Sequence, residues 1–369
     1  MSNPEQTSAS AMLTIDLGAI RDNWRTLKAK VGAVECAAVV KADAYGLGAA
    51  KVAPALYRAG CRYFFVAHLN EAIALRPALP GDAALYVLHG IHPDSERDFV
   101  THGVVPVLNS LAQVQTWGKL ARERGGHLPA VLQVDTGMAR LGLSCEELES
   151  LAADHGMLSG IDLRLIMSHL VSAENQAEAI NDLQLARFRV ALARLPKARA
   201  SLANSSGIFL GRDYHFDLVR PGAALYGVAP IAGMPNPLRP VIKLEGKVIQ
   251  TRWIAAGNAV GYSHAWTAPR RSRIATVAVG YADGFFRSLS NKAVASFMGY
   301  CLPLVGNVSM DTVTLDVTDV PAHEIAEGTL ITLADNALHV DKIASRAGTI
   351  GYEVLTSLGN RYMRSYIDD

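Results

Sequence analysis

The chain has 369 residues, about two domains' worth by ordinary domain sizes, although an α/β barrel runs to ~250 residues as one unit. Half the residues are hydrophobic, 19% are charged and the formal net charge is +1, the composition of a globular protein with a large core. No basic surplus argues for nucleic acid and no apolar stretch reaches the ~18 residues of a membrane helix, so the expected partner is a small molecule.

Residues 1–11 read as a loose polar tail that lacks the basic-then-apolar order of an export signal, which makes the cytoplasm the default location. The cysteines Cys36, Cys61, Cys145 and Cys301 form no C-x-x-C pair. They read as reduced thiols, and no metal site is expected. A short strand at 12–15 precedes Asp16, which stands where a helix N-cap belongs. Leu17, Ile20, Trp24, Leu27 and Val31 then recur at intervals of three and four, one apolar helical stripe.

Short apolar runs follow at 36–40, 63–66, 84–88, 104–108, 131–134 and 163–167, with weaker ones at 200–203 and 216–219. Amphipathic stretches such as 47–59, 111–124 and 177–194 lie between them. Strand-helix alternation implies a parallel sheet, and this many repeats favour a closed (β/α)8 barrel over an open doubly wound sheet. The prolines at 235, 237 and 240 then break the pattern. Strand-like runs recur beyond them at 241–253, 273–279, 302–305, 312–316 and 330–333, with one helical segment at 340–347. The expected architecture is a barrel over 12–236 and a mainly-β domain over 237–369, strand 12–15 being a candidate to pack with the latter.

One apolar run ends in Val39-Val40-Lys41-Ala42-Asp43-Ala44-Tyr45-Gly46-Leu47-Gly48. Barrel active sites sit at the C-terminal ends of strands, and a lysine desolvated there becomes a nucleophile for aldehydes. A solvated lysine at a strand end is the plainer alternative. A dinucleotide fingerprint fails, because Lys51 stands where the last glycine belongs. The loops after the seventh and eighth strands, Asn204-Ser205-Ser206-Gly207 and Arg220-Pro221-Gly222-Ala223, offer hydroxyls and bare backbone N–H groups that suit a phosphate.

The lysine segment resembles the cofactor-lysine motif of the alanine racemase family, fold-type III pyridoxal-phosphate enzymes. The resemblance runs from about residue 12 to the C-terminus and is most specific at that segment and at Gly280-Tyr281-Ala282-Asp283-Gly284. It implies that Lys41 carries pyridoxal 5'-phosphate as a Schiff base and acts as one catalytic base. Tyr281 would be the second, reaching the active site of the partner subunit in a homodimer. It further implies that Tyr45, Ser205, the Gly222 N–H and Tyr352 hold the phosphate with Asn204 near it, and that Arg220 meets the pyridine nitrogen. His169 would link Arg220 to the second base, and Arg140 and the Met310 N–H would bind the substrate carboxylate.

An arginine at the ring nitrogen only donates, so it disfavours ring protonation and should limit side reactions such as transamination. Many relatives carry a carbamylated lysine two residues before Asp135, and this chain has Gln133 there. Glutamine cannot be carbamylated, so another anion, a bound chloride on this reading, or none balances Arg140. Ala223 and the Tyr262-Ser263-His264-Ala265-Trp266 stretch also depart from the family pattern.

The implied function is interconversion of L-alanine and D-alanine, supplying D-alanine for peptidoglycan. A catabolic, a broader-specificity or a serine racemase is the alternative. A decarboxylase of the same fold type would have a glutamate where Arg220 stands, and a non-catalytic pyridoxal-phosphate carrier would lack the β domain.

Overall fold

The computed structural model describes residues 9–368, and the chain divides into two compact units: Ile20–Leu238, and Arg239–Asp369 with Met1–Ala19. Strand β1 (Ala11–Asp16) and the first residues of helix α1 (Leu17–Val31) thus group with the C-terminal unit. The reason is backbone pairing: β1 lies antiparallel to one C-terminal-unit strand and parallel to another. Residue 11, read as part of a tail over 1–11, belongs to this strand, and residues 1–8 lie outside the described ones. Asp16 caps α1, its Oδ1 accepting the Ala19 N–H at 2.7 Å.

In the unit 20–238, β2 (Glu35–Cys36) and β3 (Ala38–Val39) make one interrupted stave. Next come β4 (Tyr63–Val66), β5 (Ala84–Val87), β6 (Val105–Leu108), β7 (Leu128–Gln133), β8 (Ile161–Met167), β9 (Arg199–Ser201) and β10 (Leu218–Val219). β3 to β9 pair in chain order, all parallel, and β10 pairs with β2, Leu218 opposite Glu35. Asp217 N donates to Ala200 O at 3.0 Å and Arg220 N to Ala203 O at 2.9 Å, which joins β10 to β9 and closes the ring. This is the closed barrel rather than the open sheet.

Inward-facing Ala37, Val39, Phe65, Tyr86, Val107, Val131, Leu165, Met167 and Leu218 fill the barrel, and the Phe65 and Tyr86 rings stack at 4.7 Å. Helices such as Ala49–Ala59, Leu69–Leu75, Leu111–Glu123 and Ala179–Arg194 connect the staves. The helix read from residue 47 starts instead at Ala49, because the segment before it has another conformation, described below.

The C-terminal unit is built on β11 (Ile242–Ile254), whose first half pairs with β1 and with the strand Leu330–Ala334. After it come β12 (Ala259–Val260), β13 (Trp266–Thr267), β14 (Ser272–Val277), β15 (Val294–Phe297), β16 (Tyr300–Pro303), β17 (Val313–Asp316), β18 (Leu330–Ala334) and β19 (Met363–Ile367). The second half of β11 pairs with β14 after a register shift at Val248/Gln250. Gly246 precedes that shift, and a Cβ there would lie 2.6 Å from Val277 Cγ1. Strands β12, β13, β15 and β19 were not legible from the sequence.

Replacing Phe65, which is fully buried, by alanine removes its ring stack on Tyr86 inside the barrel. The expected loss is ~3–5 kcal/mol, read as a lower midpoint in urea unfolding.

Candidate active site

After β3 the Val40 N–H still donates to Phe65 O at 2.8 Å, and then the chain turns out of the sheet. Ala42, Asp43, Ala44 and Tyr45 take φ of 52–55° and ψ of 39–51°, consecutive residues in the left-handed helical region. Non-glycine residues pay ~1–2 kcal/mol each for that conformation, so other contacts must hold the turn. Glu71 supplies three of them. Its Oε1 accepts the Ala42 N–H at 2.7 Å, and its Oε2 accepts the Ala67 and His68 N–H groups at 2.7 and 3.1 Å. Asp43 accepts the Ala49 N–H at 2.7 Å and so ties the turn to the next helix.

Lys41 stands at the start of this turn. Burial first, and the positive charge of Arg140 second, lower its ammonium pKa, with Glu71 acting in the opposite sense. The neutral amine, the form that attacks carbonyls, is thereby favoured. Tyr45 closes the turn, its ring 4.7 Å from that of Tyr226, whose hydroxyl donates to Val39 O at 3.0 Å.

The Tyr45 hydroxyl lies where Gly222 comes close. A Cβ on residue 222 would sit 2.4 Å from the Tyr45 oxygen. The Gly222 and Ala224 N–H groups converge on Ser205 Oγ at 2.9 and 3.1 Å. A phenol, a hydroxyl and two backbone N–H groups at the start of the short helix Ala223–Tyr226 thus face one small region, a cradle suited to an anion. Asn204 turns elsewhere: its Oδ1 accepts the Gly207 N–H at 2.9 Å and its Nδ2 reaches Leu170 O at 3.5 Å.

Arg220 is 4% exposed. Its guanidinium donates to Ser168 O at 2.6 Å and to the Ser201 hydroxyl, which in turn donates to Leu218 O at 2.5 Å. No carboxylate pairs with it among the described residues, and burial pulls its pKa down to about 9. A buried cation met only by neutral acceptors is costly, so the site favours a further acceptor beside it.

His169 follows β8 and is held near pKa about 3 by burial, then by Arg220, Arg140 and Lys41. It is therefore neutral and can accept a hydrogen bond at one ring nitrogen while donating at the other. Gln184 fixes the backbone here, donating to His169 O at 2.9 Å and to Thr136 Oγ1 at 3.2 Å, while its Oε1 accepts the Val171 N–H at 2.9 Å. Thr136 and Ser168 share a hydrogen bond of 2.7 Å. That network ties the His169 strand end to the loop carrying Arg140.

In that loop Asp135 accepts the N–H groups of Gly137, Met138 and Ala139 at 2.8–2.9 Å. Arg140 is exposed, and Gln133 donates to Leu141 O at 3.1 Å, shaping the loop backbone.

In the C-terminal unit Tyr281, Met310 and Tyr352 are 43%, 53% and 43% exposed. Tyr281 N donates to Ser309 O at 3.0 Å and Ala282 N to Met310 O at 3.0 Å, so the tyrosine and Met310 share one loop pair. The glycine before the tyrosine makes this approach possible, since a Cβ on Gly280 would lie 2.3 Å from Met310 O. Asp283, buried, accepts two bonds from Arg361 at 2.6 and 2.8 Å, and Arg361 also donates to Asp311 at 2.7 Å. These bonds clamp the loop pair. Tyr352 lies on the helix Gly351–Ser357.

The structure thus brings Lys41, Tyr45, Ser205, Gly222, Arg220 and His169 to one mouth of the barrel, with Tyr281 beside Met310 in the other unit. Sequence reasoning missed Glu71, Ser201, Thr136, Gln184 and Arg361. Only Glu71 had a local signal, a glutamate in the first turn of a helix where it can accept backbone N–H groups.

Such a site, a lysine with a lowered pKa at a barrel strand end beside an anion cradle and a buried guanidinium, defines a class of enzyme that binds an anionic aldehyde through a lysine. The alanine racemase N-terminal domain model matches residues 15–230 and the C-terminal domain model residues 241–366. The chain belongs to the alanine racemase family. It is 50% identical over 359 residues to a catabolic alanine racemase of Agrobacterium fabrum (strain C58 / ATCC 33970), covering 97% of this chain and 92% of the relative. It is 49% identical over 373 residues to an alanine racemase of Brucella abortus (strain 2308), covering 98% and 94%. Among solved structures, the alanine racemase of Bartonella henselae with covalently bound pyridoxal phosphate superposes with a TM-score of 0.94 at 45% identity, covering 97% of this chain and all of that one.

The unfolded chain protonates His169 near 6.5 and the folded chain only near about 3, so protons favour unfolding between those values. Stability from this residue is full above about 6.5 and falls as the pH drops toward about 3. Melting temperatures measured from pH 7 downward should fall less steeply for His169→Gln than for the natural chain.

Proposed function

We propose that this chain interconverts L-alanine and D-alanine with pyridoxal 5'-phosphate as cofactor, Lys41 and Tyr281 moving the α-proton on opposite faces of the substrate. The observation that carries the reading is the buried Arg220, a cation without a carboxylate partner among the described residues that shares one barrel mouth with a lysine of lowered pKa. The residues fit the cofactor: Lys41 for its aldehyde carbon, the Gly222 cradle with Tyr45 and Ser205 for its phosphate, and Arg220 for its ring nitrogen. Tyr352 is a further phosphate donor on this reading, and Asn204 shapes the loop beneath. When bound, the cofactor draws electrons from the substrate Cα and makes its hydrogen removable.

The remaining work belongs to the side chains. The Lys41 amine takes the α-proton from D-alanine while the Tyr281 hydroxyl delivers one to the opposite face, giving L-alanine. In the other direction Tyr281 takes the proton and Lys41 delivers it, so the centre inverts without the substrate turning over. Arg140 and the Met310 N–H orient the substrate carboxylate, the arginine by paired donors. Arg220 withholds a proton from the ring nitrogen, since a guanidinium donates and does not accept. Neutral His169 passes hydrogen-bond polarisation from Arg220 toward the phenol.

Tyr281 and Met310, both exposed on one clamped loop pair, suit a homodimer in which each copy completes the other's site. No helix among the described residues is long and apolar enough to cross a membrane. The cytoplasm and a supply of D-alanine for peptidoglycan are the proposed setting. A catabolic role is the second reading, favoured by the name of the Agrobacterium fabrum relative.

Tyr281→Phe is expected to slow racemisation by about 10²–10⁴-fold. Exchange of the D-alanine α-hydrogen in deuterated water, followed by NMR, should persist through Lys41. Undiminished racemisation by this variant would refute the two-base assignment. Gly222→Ala should weaken pyridoxal phosphate binding by roughly tenfold to a hundredfold, the effect of ~1–3 kcal/mol of overpacking against Tyr45, with the far-ultraviolet dichroism unchanged. Absorbance titration of the cofactor measures it.

A further inference from the structure

The geometry points to Glu71 as a positioning residue for Lys41, its carboxylate holding the left-handed turn in which the lysine and Tyr45 are presented to the cofactor. The inference rests on the cofactor reading above. Three short hydrogen bonds converge on this one side chain, from Ala42 at 2.7 Å and from Ala67 and His68 at 2.7 and 3.1 Å. The Ala42 N–H belongs to the peptide that immediately follows Lys41, and its φ of 52° begins the left-handed run through Tyr45. The donors at Ala67 and His68 belong to the segment just past β4, the stave next to β3. Glu71 therefore bolts the peptide after the lysine to the neighbouring stave. Without that anchor, the unfavourable backbone conformation has reason to relax, and Lys41 and Tyr45 would lose their common spacing to one ligand.

Both carboxylate oxygens are engaged, one on each side. A glutamine has a single acceptor oxygen and so can serve the Ala42 side or the Ala67 and His68 side, never both. Glu147 is a matched control elsewhere on the same barrel. Its two oxygens accept the Leu111 and Ser144 N–H groups, each at 3.0 Å, far in sequence from the lysine turn.

The test compares the natural chain, Glu71→Gln and Glu147→Gln, each loaded with pyridoxal phosphate. Borohydride reduction followed by peptide mass mapping reads the pyridoxyl group trapped on Lys41, absorbance titration reads the cofactor dissociation constant, and circular dichroism reads the fold. Glu71→Gln should keep the dichroism spectrum, bind the cofactor about tenfold or more weakly and trap less of it on Lys41. It should also lower kcat more than it changes the KM for alanine. Glu147→Gln should match the natural chain in trapping and in cofactor affinity. Equal trapping and affinity in Glu71→Gln, or an equal loss in Glu147→Gln, would overturn the proposal while leaving the cofactor reading intact. Absence of any pyridoxyl-lysine at position 41 in the natural chain would overturn the cofactor reading itself, and this proposal with it. If Glu71→Gln does not fold, Ala42→Gly added to it removes the Cβ that penalises positive φ. That double variant should fold and regain trapping, and its failure to do so counts against the role.

Discussion

The barrel site depends on a stretch of backbone wound the wrong way. At the end of β3 the chain leaves the sheet through a left-handed turn from Ala42 to Tyr45, without a glycine to ease it. The turn sets the spacing between an amine at its start and a phenol at its end. An ordinary right-handed exit would send these side chains to other places. The opposing contacts come from all around it: Glu71 from beyond the adjacent stave, Asp43 to the next helix, and Tyr226 against the ring of Tyr45. Local strain is held by tertiary contacts, which is the usual condition for its survival.

Charge is organised around the same mouth by subtraction of anions. Among the described residues Arg220 bonds to a carbonyl and a hydroxyl and to no carboxylate, and His169 is driven neutral by burial and the cations about it. Lys41 loses proton affinity for the same two reasons, desolvation and a neighbouring guanidinium. The result is a region short of negative charge. An anionic ligand with a ring nitrogen and an aldehyde would satisfy the phosphate cradle, the guanidinium and the amine together. Gln133 agrees with this account only in part: it shapes the Arg140 loop through Leu141 O and brings no charge of its own.

The C-terminal unit reaches the same kind of positional control by other means. Its tyrosine is set by backbone hydrogen bonds to the Ser309–Met310 segment and by a glycine that lets the two loops touch. The bidentate pair between Arg361 and buried Asp283 then ties the tyrosine turn to the chain near its C-terminus, and the third donor binds Asp311 on the facing loop. A phenol proposed to carry a proton needs this restraint, because an exposed aromatic on a free loop would sample many positions.

Much of the fold was legible because it is written in local periodicity. Alternating strand and helix patterns implied the barrel, the prolines at 235, 237 and 240 marked its end, and Asp16 announced the first helix. The lysine, tyrosine and arginine segments pointed to the family by their order along the chain. Other features were hidden for a physical reason: they are relations between residues far apart in sequence. Nothing near Ala42 says that its peptide turns left-handed, since that conformation is unfavourable locally and survives only by bonding to Glu71. Pairing of β1 with β11 and β19, the neutrality of His169, and the clamp of Arg361 on Asp283 are likewise products of burial and long-range contact. The amino-acid order by itself determined which groups are present for the chemistry and the kind of scaffold that bears them. Tertiary structure alone decided their protonation and mutual placement, because desolvation and charge proximity exist only once distant segments are packed together.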